Sequence, residues 1–371
     1  MDVLDTVLRT IVERDLAKPD TPVVLMVSGG SDSTALAYLA HELSLQGSIG
    51  PLGIMHVNHQ LRGVDAAADA SFVKTLAEAL ELPFFLYERD IAGKAAEDGD
   101  NIEAVARHER YQAAHDALAK LCRRCHTPVA EGRIFTAHNQ DDRVENFYMR
   151  SIVGTGPGGF RSMLYLNGQV ARPCLDVDRA ALRDYLQRRQ LDAKADSRVV
   201  LITDDNGRLW REDATNAHTD RFRAFVRHNL VPLAQQRNPR HAQTLCRSMN
   251  LIADEDDMLE TMARQLLDQT AQWQTPEAGG PAHACLLAPA FCQAPVPLQR
   301  RAAAQVLKAL LDEDARVETA SIEAIVGAFC DGVPISGYTA NIQGDLALSA
   351  NKKGLRIEPM AAYRARRKGV R

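Results

Sequence analysis

The stretch Val23-Val24-Leu25-Met26-Val27-Ser28-Gly29-Gly30-Ser31-Asp32-Ser33-Thr34 decides how the chain is read. An apolar, β-branched run predicts a buried strand, and the Ser/Gly turn after it opens into a helical pattern near Asp32. Gly29 and Gly30 let the backbone turn tightly with its N–H groups inward, and Ser28, Ser31 and Ser33 add hydroxyl donors. The helix brings its positive N-terminal end to the same point, so the loop is a cradle for phosphate or pyrophosphate. It lacks the lysine of the Gly-x-x-x-x-Gly-Lys-Ser/Thr loop and does not follow the Gly-x-Gly-x-x-Gly fingerprint. Asp32 is also of a residue type that caps helices.

Outward from this loop, residues 1–190 alternate short apolar segments with helical patterns of ten to fifteen residues. That alternation predicts an α/β fold, a doubly wound, mostly parallel sheet covered on both faces. Strands are expected at 23–27, 52–57, 84–87 and 133–137, with helices at 32–43, 66–80 and 101–121. Ligands in such sheets bind beyond the carboxyl ends of the strands, where the Ser28 loop, residues 56–59 and residues 136–138 all fall. At 371 residues the chain exceeds one compact core. Residues 191–270 read as a helical, arginine-rich segment, and 271–371 as a smaller C-terminal accessory domain. Pro276, Gly279, Gly280 and Pro281 mark 272–281 as a linker. Beyond it a helix is expected at 299–311 and a short alternating segment at 344–357.

No run of eighteen apolar residues exists to span a bilayer, and the start of the chain, with Asp2, Asp5, Glu13 and Asp15, lacks a signal-peptide layout. The expectation is a cytoplasmic protein with no membrane partner. Seven cysteines, at 122, 125, 174, 246, 285, 292 and 330, are an odd number spread over a long chain, which fits reduced thiols. The net charge of -4 does not announce a nucleic-acid binder. Local charge does, through Arg221, Arg223, Arg227, Arg237, Arg240 and Arg247, and through Arg364, Arg366, Arg367, Lys368 and Arg371 in the tail. Either cluster also reads as a solvated face.

The Ser-Gly-Gly-x-Asp-Ser signature resembles the loop of the ATP pyrophosphatase (PP-loop) superfamily, whose members adenylate a substrate and release pyrophosphate. Further motifs narrow the resemblance. His56-Val57-Asn58-His59-Gln60-Leu61-Arg62, Asn101-Ile102-Glu103-Ala104 with Ala106-Arg107-His108-Glu109-Arg110-Tyr111, and Thr136-Ala137-His138-Asn139-Gln140-Asp141-Asp142-Arg143-Val144-Glu145 follow in order. Arg172-Pro173, Glu212-Asp213-Ala214-Thr215-Asn216, and Arg223 with Arg227-His228 complete the series. Together, over roughly residues 20–240, they are similar to the tRNA(Ile)-lysidine synthetases. Departures are Asn139 for a second histidine, Asn146 for a threonine, Val153 for an arginine and Ala224 for an asparagine; 122–132 and 197–209 look like insertions.

The resemblance implies an ATP-dependent carbon–nitrogen ligase using ATP and Mg2+, with tRNA(Ile) bearing a CAU anticodon and L-lysine as partners; the sequence leaves a homodimer open. It implies ATP binding by Ser28, Gly29, Gly30, Ser31, Asp32, Ser33, His56 and His138, with Asp32 also on the metal. Asp142 and Glu145, three apart and so on one helix face, are candidates to bind a lysine ammonium whose ordinary pKa is near ~10.4. Arg223 is expected to serve catalysis, and His59, Arg62, Arg107, Arg110 and Arg227 the tRNA or substrate, since guanidinium forks suit phosphate. Cys122-Arg123-Arg124-Cys125-His126, with Cys174, points to the alternative of a metal- or cluster-bearing tRNA base thiolase, and the departures to a noncatalytic tRNA-binding relative.

Overall fold

A computed structural model describes residues 2–60, 64–98, 101–211, 221–274, 283–311 and 315–368. The chain opens with α1 (Val3–Glu13), β1 (Val23–Met26), α2 (Ser31–Leu45), β2 (Leu52–Asn58), α3 (Val64–Ala79) and β3 (Phe84–Glu88). It continues through α4 (Ile91–Asp98), α5 (Ile102–Cys125), β4 (Arg133–Phe135), α6 (Gln140–Val153), β5 (Leu166–Asn167), β6 (Val170–Ala171) and α7 (Arg179–Ala195). Then come α8 (Arg221–Phe225), a π turn (Val226–Leu230), α9 (Val231–Arg237) and α10 (His241–Thr270).

The first sheet has the order β3-β2-β1-β4-β6-β5, parallel throughout except for the β5–β6 pair. It is the doubly wound, mostly parallel sheet that the alternation predicts. Side chains alternate along each strand, so neighbours serve opposite faces. Val23, Leu25, Ile54 and Phe135 pack under α1, α2, α3 and α7 through Val7, Ile11, Leu36, Leu39, Leu76 and Leu186. Val24, Met55 and Ile134 pack under α5 through Ala113, Ala117 and Leu121. The chain leaves β1 toward β2 on one side and returns to β4 on the other, so the switch point lies between the carboxyl ends of β1 and β4.

Two compact units divide the chain, residues 1–250 and 251–371, where composition placed boundaries after 190 and 270. Residues 197–209 also belong to the first core: Val200, Leu201, Ile202 and Leu209 pack on it. In the second unit β7 (Ala271–Gln274), β8 (Ala284–Leu287), β11 (Thr339–Ile342), β12 (Leu346–Asn351) and β13 (Gly354–Pro359) form an antiparallel sheet of order β11-β12-β13-β8-β7. Residues 272–274 are therefore strand rather than linker, because β7 pairs with β8; most of the expected linker lies outside the described residues. Helices α11 (Val296–Leu310) and α12 (Thr319–Val326) cover the sheet with Val306, Leu307 and Ile325, while β9 (Phe329–Cys330) and β10 (Val333–Pro334) form a small ribbon. Helix α13 (Met360–Lys368) closes the unit, its Arg366 held by Glu358 at 2.6 Å. Among the described residues no helix is long and apolar enough to cross a membrane.

Candidate active site

Beyond β1 the chain turns sharply at Gly29, whose φ of +94° is a conformation that side-chain-bearing residues rarely adopt. Hydroxyls lace the turn together: the Ser28 amide donates to Ser33 Oγ at 3.2 Å, Ser33 Oγ donates to the Gly30 carbonyl at 3.1 Å, and Thr34 Oγ1 donates to the Gly29 carbonyl at 3.3 Å. Gly30 is the N-cap of α2 and makes no side-chain cap bond. The loop therefore presents a helix N-terminus to the cavity beside it, the geometry that favours anions.

That cavity has a volume of about 510 Å³, within the range of small-ligand sites. Met26, Met55, Val57 and Ala106 give it an apolar side, and Ser28, His56, His138, Arg107 and Arg110 a polar one. His56 is buried, its Nδ1 donates to the Val27 carbonyl at 2.8 Å, and burial pushes its pKa below the ordinary value despite that bond. His138 Nδ1 lies 2.8 Å from Thr136 Oγ1. Burial, then the nearby guanidiniums of Arg172, Arg107, Arg223 and Arg110, push its pKa down to about 3, so the imidazole is neutral at physiological pH.

Next to the loop, three carboxylates meet three arginines. Asp32, in the first turn of α2, accepts from Asn139 Nδ2 at 2.8 Å and Arg179 Nε at 3.1 Å. Asp142 accepts from Arg179 Nη2 at 3.0 Å and Arg223 Nη2 at 2.7 Å. Glu145, on the same face of α6, accepts from Arg223 Nε at 2.7 Å and Arg227 Nε at 2.6 Å. Asn139 caps α6 and Arg179 is the first residue of α7, so the N-termini of α2, α6 and α7 converge here. Burial drives the Asp142 pKa up, and Arg179 and Arg223 only partly offset it. For Glu145 burial acts the same way, but the bonds from Arg227 and Arg223 outweigh it and hold its carboxyl below the ordinary value.

The residues singled out from sequence thus fall in two adjoining groups. Ser28, Gly30, Ser33, His56, His59, Arg107, Arg110, His138 and Asp142 line the one cavity, with Arg107 also over the Tyr111 ring. Asp32, Asp142, Glu145, Arg223 and Arg227 form the charged network, and Ser31 Oγ donates to Asp32 Oδ1 at 3.0 Å. Gly29 is the turn itself, and Arg62 lies outside the described residues, as does the 212–216 motif. Arg179 was not among the expected residues. A signal existed: an arginine opening a helix runs against the helix dipole and needs anions nearby. Arg211 was missed too; it lines the cavity, donates its amide to the Gly29 carbonyl at 2.9 Å and pairs with Asp69 at 2.8 Å. Cys122 is buried on α5, where a Cβ on Gly132 would meet its Sγ at 2.8 Å, and Cys174 is fully buried with its thiol pushed up to about 12 by desolvation.

A doubly wound sheet with an anion loop after its first strand, a cavity at its switch point and a charged cluster beside them defines a nucleotide-binding α/β protein. Residues 4–234 match the model of the PP-loop domain, which is more than half the chain, and the chain belongs to that family. A tRNA(Ile)-lysidine synthase of Thermus thermophilus is 33% identical over 311 residues, 83% of this chain and 53% of the relative. One of Caldanaerobacter subterraneus is 29% identical over 271 residues, 73% of this chain and 52% of the relative. The chain spans about half the length of these curated relatives. Among solved structures, the U34-tRNA thiolase NcsA of Methanococcus maripaludis aligns with a TM-score of 0.46 at 15% identity, covering 68% of this chain and 79% of that one.

Proposed function

We propose that the chain is a tRNA(Ile)-lysidine synthetase, a cytoplasmic ATP-dependent ligase that adenylates the wobble cytidine of a CAU anticodon and joins lysine to it. The observation that carries this reading is the Asp142/Glu145–Arg223/Arg227 cluster set beside the Ser28–Ser33 loop and its cavity. In the first step the cytidine C2 oxygen attacks the α-phosphorus of ATP and pyrophosphate leaves. In the second the lysine ε-amine attacks C2, AMP leaves with that oxygen, and the amine gives up a proton.

Both steps move negative charge on phosphate oxygens. The Gly29 amide, and the Gly30 amide and the Ser28, Ser31 and Ser33 hydroxyls once they turn from their partners within the free loop, offer donors to the departing pyrophosphate. Asp32, a hard oxygen ligand at the mouth of an anion loop, suits Mg2+, which is usually held by one or two carboxylates plus phosphates and supplies charge neutralisation there when bound. His138 offers a neutral imidazole to the nucleotide. His59, Arg62, Arg107 and Arg110 are assigned to the nucleotide or the RNA. Arg223 and Arg227 are paired with Glu145 in the free protein. An arriving phosphate competes for the guanidiniums, and each one drawn away frees the Glu145 carboxylate to receive the lysine ammonium, with Asp142 as the second acceptor.

The test is incubation with ATP, magnesium, labelled lysine and a tRNA(Ile) transcript bearing CAU. Label entering the tRNA only when ATP is present supports the reading, and AMP-forming turnover without lysine incorporation refutes it.

A further inference from the structure

We propose that Asn139 is a positioning residue for Asp32, the carboxylate placed above at the phosphate end of the site; the inference rests on that reading. Asn139 is fully buried at the N-cap of α6, and its amide faces two neighbours of opposite kind. Its Oδ1 accepts from the Asp142 amide at 3.2 Å, which only an acceptor can meet. Its Nδ2 donates to Asp32 Oδ2 at 2.8 Å, which only a donor can meet. The two ends cannot be exchanged, so the side chain is locked in one orientation. The Asn139 backbone N–H donates to Asp142 Oδ2 at 3.1 Å, closing the capping box.

Capping alone does not require asparagine, because serine, threonine and aspartate cap as well. What they lack is an amide that accepts from Asp142 and, at full length, donates to a carboxylate. The other donor to Asp32 Oδ2, Arg179, is shared with Asp142, so any anion that competes for Arg179 loosens its hold on Asp32. The Asn139 donor carries no charge for an anion to compete for. It joins the first turn of α2 to the start of α6 directly, and keeps Asp32 aimed while the arginines change partners.

Asn139→Ser retains a cap oxygen but ends one bond short of the Nδ2 position, whereas Asn139→Ala removes cap and donor together. The serine variant is expected to keep a thermal midpoint near wild type while the ATP concentration giving half-maximal AMP release rises about tenfold, the effect of losing one hydrogen bond to a charged group. Its half-saturation for tRNA should stay put. The alanine variant should show the same ATP shift and a lower midpoint. A serine variant with wild-type ATP dependence overturns the inference and leaves Asn139 as a cap. A readout free of nucleotide uses asparagine-selective 15N labelling: the Asn139 side-chain amide should exchange slowly with solvent and shift on Asp32→Ala. If it exchanges fast and ignores that substitution, the inference falls whatever the activity. If the amide behaves as expected but the wild-type protein releases no AMP, the ligase reading falls and the Asn139–Asp32 link stands.

Discussion

Replacing Arg179 by methionine keeps much of the side-chain stem and removes the cation that joins Asp32 to Asp142. Two charge-assisted bonds go, at 3.1 and 3.0 Å. Each is worth roughly 1.5–3 kcal/mol, while severing a fully buried ion pair costs about 3–5 kcal/mol. Because Arg179 is 21% exposed and Asp32 22%, water recovers part of this, and we expect a loss near ~3 kcal/mol at pH 7. The pH dependence has a definite sign. Burial already places the Asp142 pKa above its ordinary value, and losing Arg179 raises it further. A carboxyl whose folded pKa exceeds its unfolded one favours folding most below the unfolded value and loses that contribution as pH rises through the folded value. The deficit of the variant therefore grows as pH rises through the folded Asp142 pKa and shrinks on acidification. Urea unfolding at several pH values measures it, followed by Trp210 in a Trp273→Phe background, since Trp210 lies in the first unit and Trp273 in the second. A deficit below about 1 kcal/mol, or one that grows as pH falls, refutes the assignment of Arg179 as the bridge between these carboxylates.

Glu145→Gln keeps size but loses the charge that pairs Arg223 and Arg227; adenylated tRNA should accumulate as lysine transfer slows, and an equal loss of both steps, read by quench-flow, assigns Glu145 to the nucleotide instead. His138, with its pKa pushed down to about 3, should contribute no limb to the pH–rate profile between pH 5 and 8. Profiles of wild type and His138→Asn should then share one shape, and a limb near pH 6.5 that vanishes in the variant counts against the neutral imidazole. tRNA affinity should fall steeply with salt, and removing residues 364–371 should flatten the slope of log affinity against log salt by somewhat under ~1 unit for each RNA phosphate the tail neutralises; an unchanged slope assigns the tail to solubility.

The anion loop and the parallel sheet were legible because their signals are local: Val23 to Thr34 carries strand, turn and helix start in consecutive residues. Asp142 and Glu145 were legible for the same reason, being neighbours on one helix face. The links among them were not. Asn139 reaches Asp32 across 107 positions and Arg179 reaches it across 147, separations over which helix and strand periodicity carry no information. Strands β5 and β6 have only two residues each, too few for alternation to show. Residues 197–209 looked like an insertion by spacing, although the apolar run Val199-Val200-Leu201-Ile202 already announced that they pack into the core.

The convergence of three helix starts has one more consequence. Asp32, Asp142 and Glu145 face Arg179, Arg223 and Arg227, three carboxylates against three guanidiniums, and Asp141 adds a further carboxylate at the Arg179 amide, so the side chains of the cluster carry no excess of positive charge. Beside the cavity arginines Arg107, Arg110 and Arg211, the backbone contributes the starts of α2, α6 and α7, each equivalent to roughly half an elementary positive charge. Part of the pull on an incoming anion is in this sense written into the peptide groups, which no side-chain replacement deletes. Single-charge variants redistribute that field among their partners, and a weak residual affinity for pyrophosphate should outlast the loss of turnover in all of them.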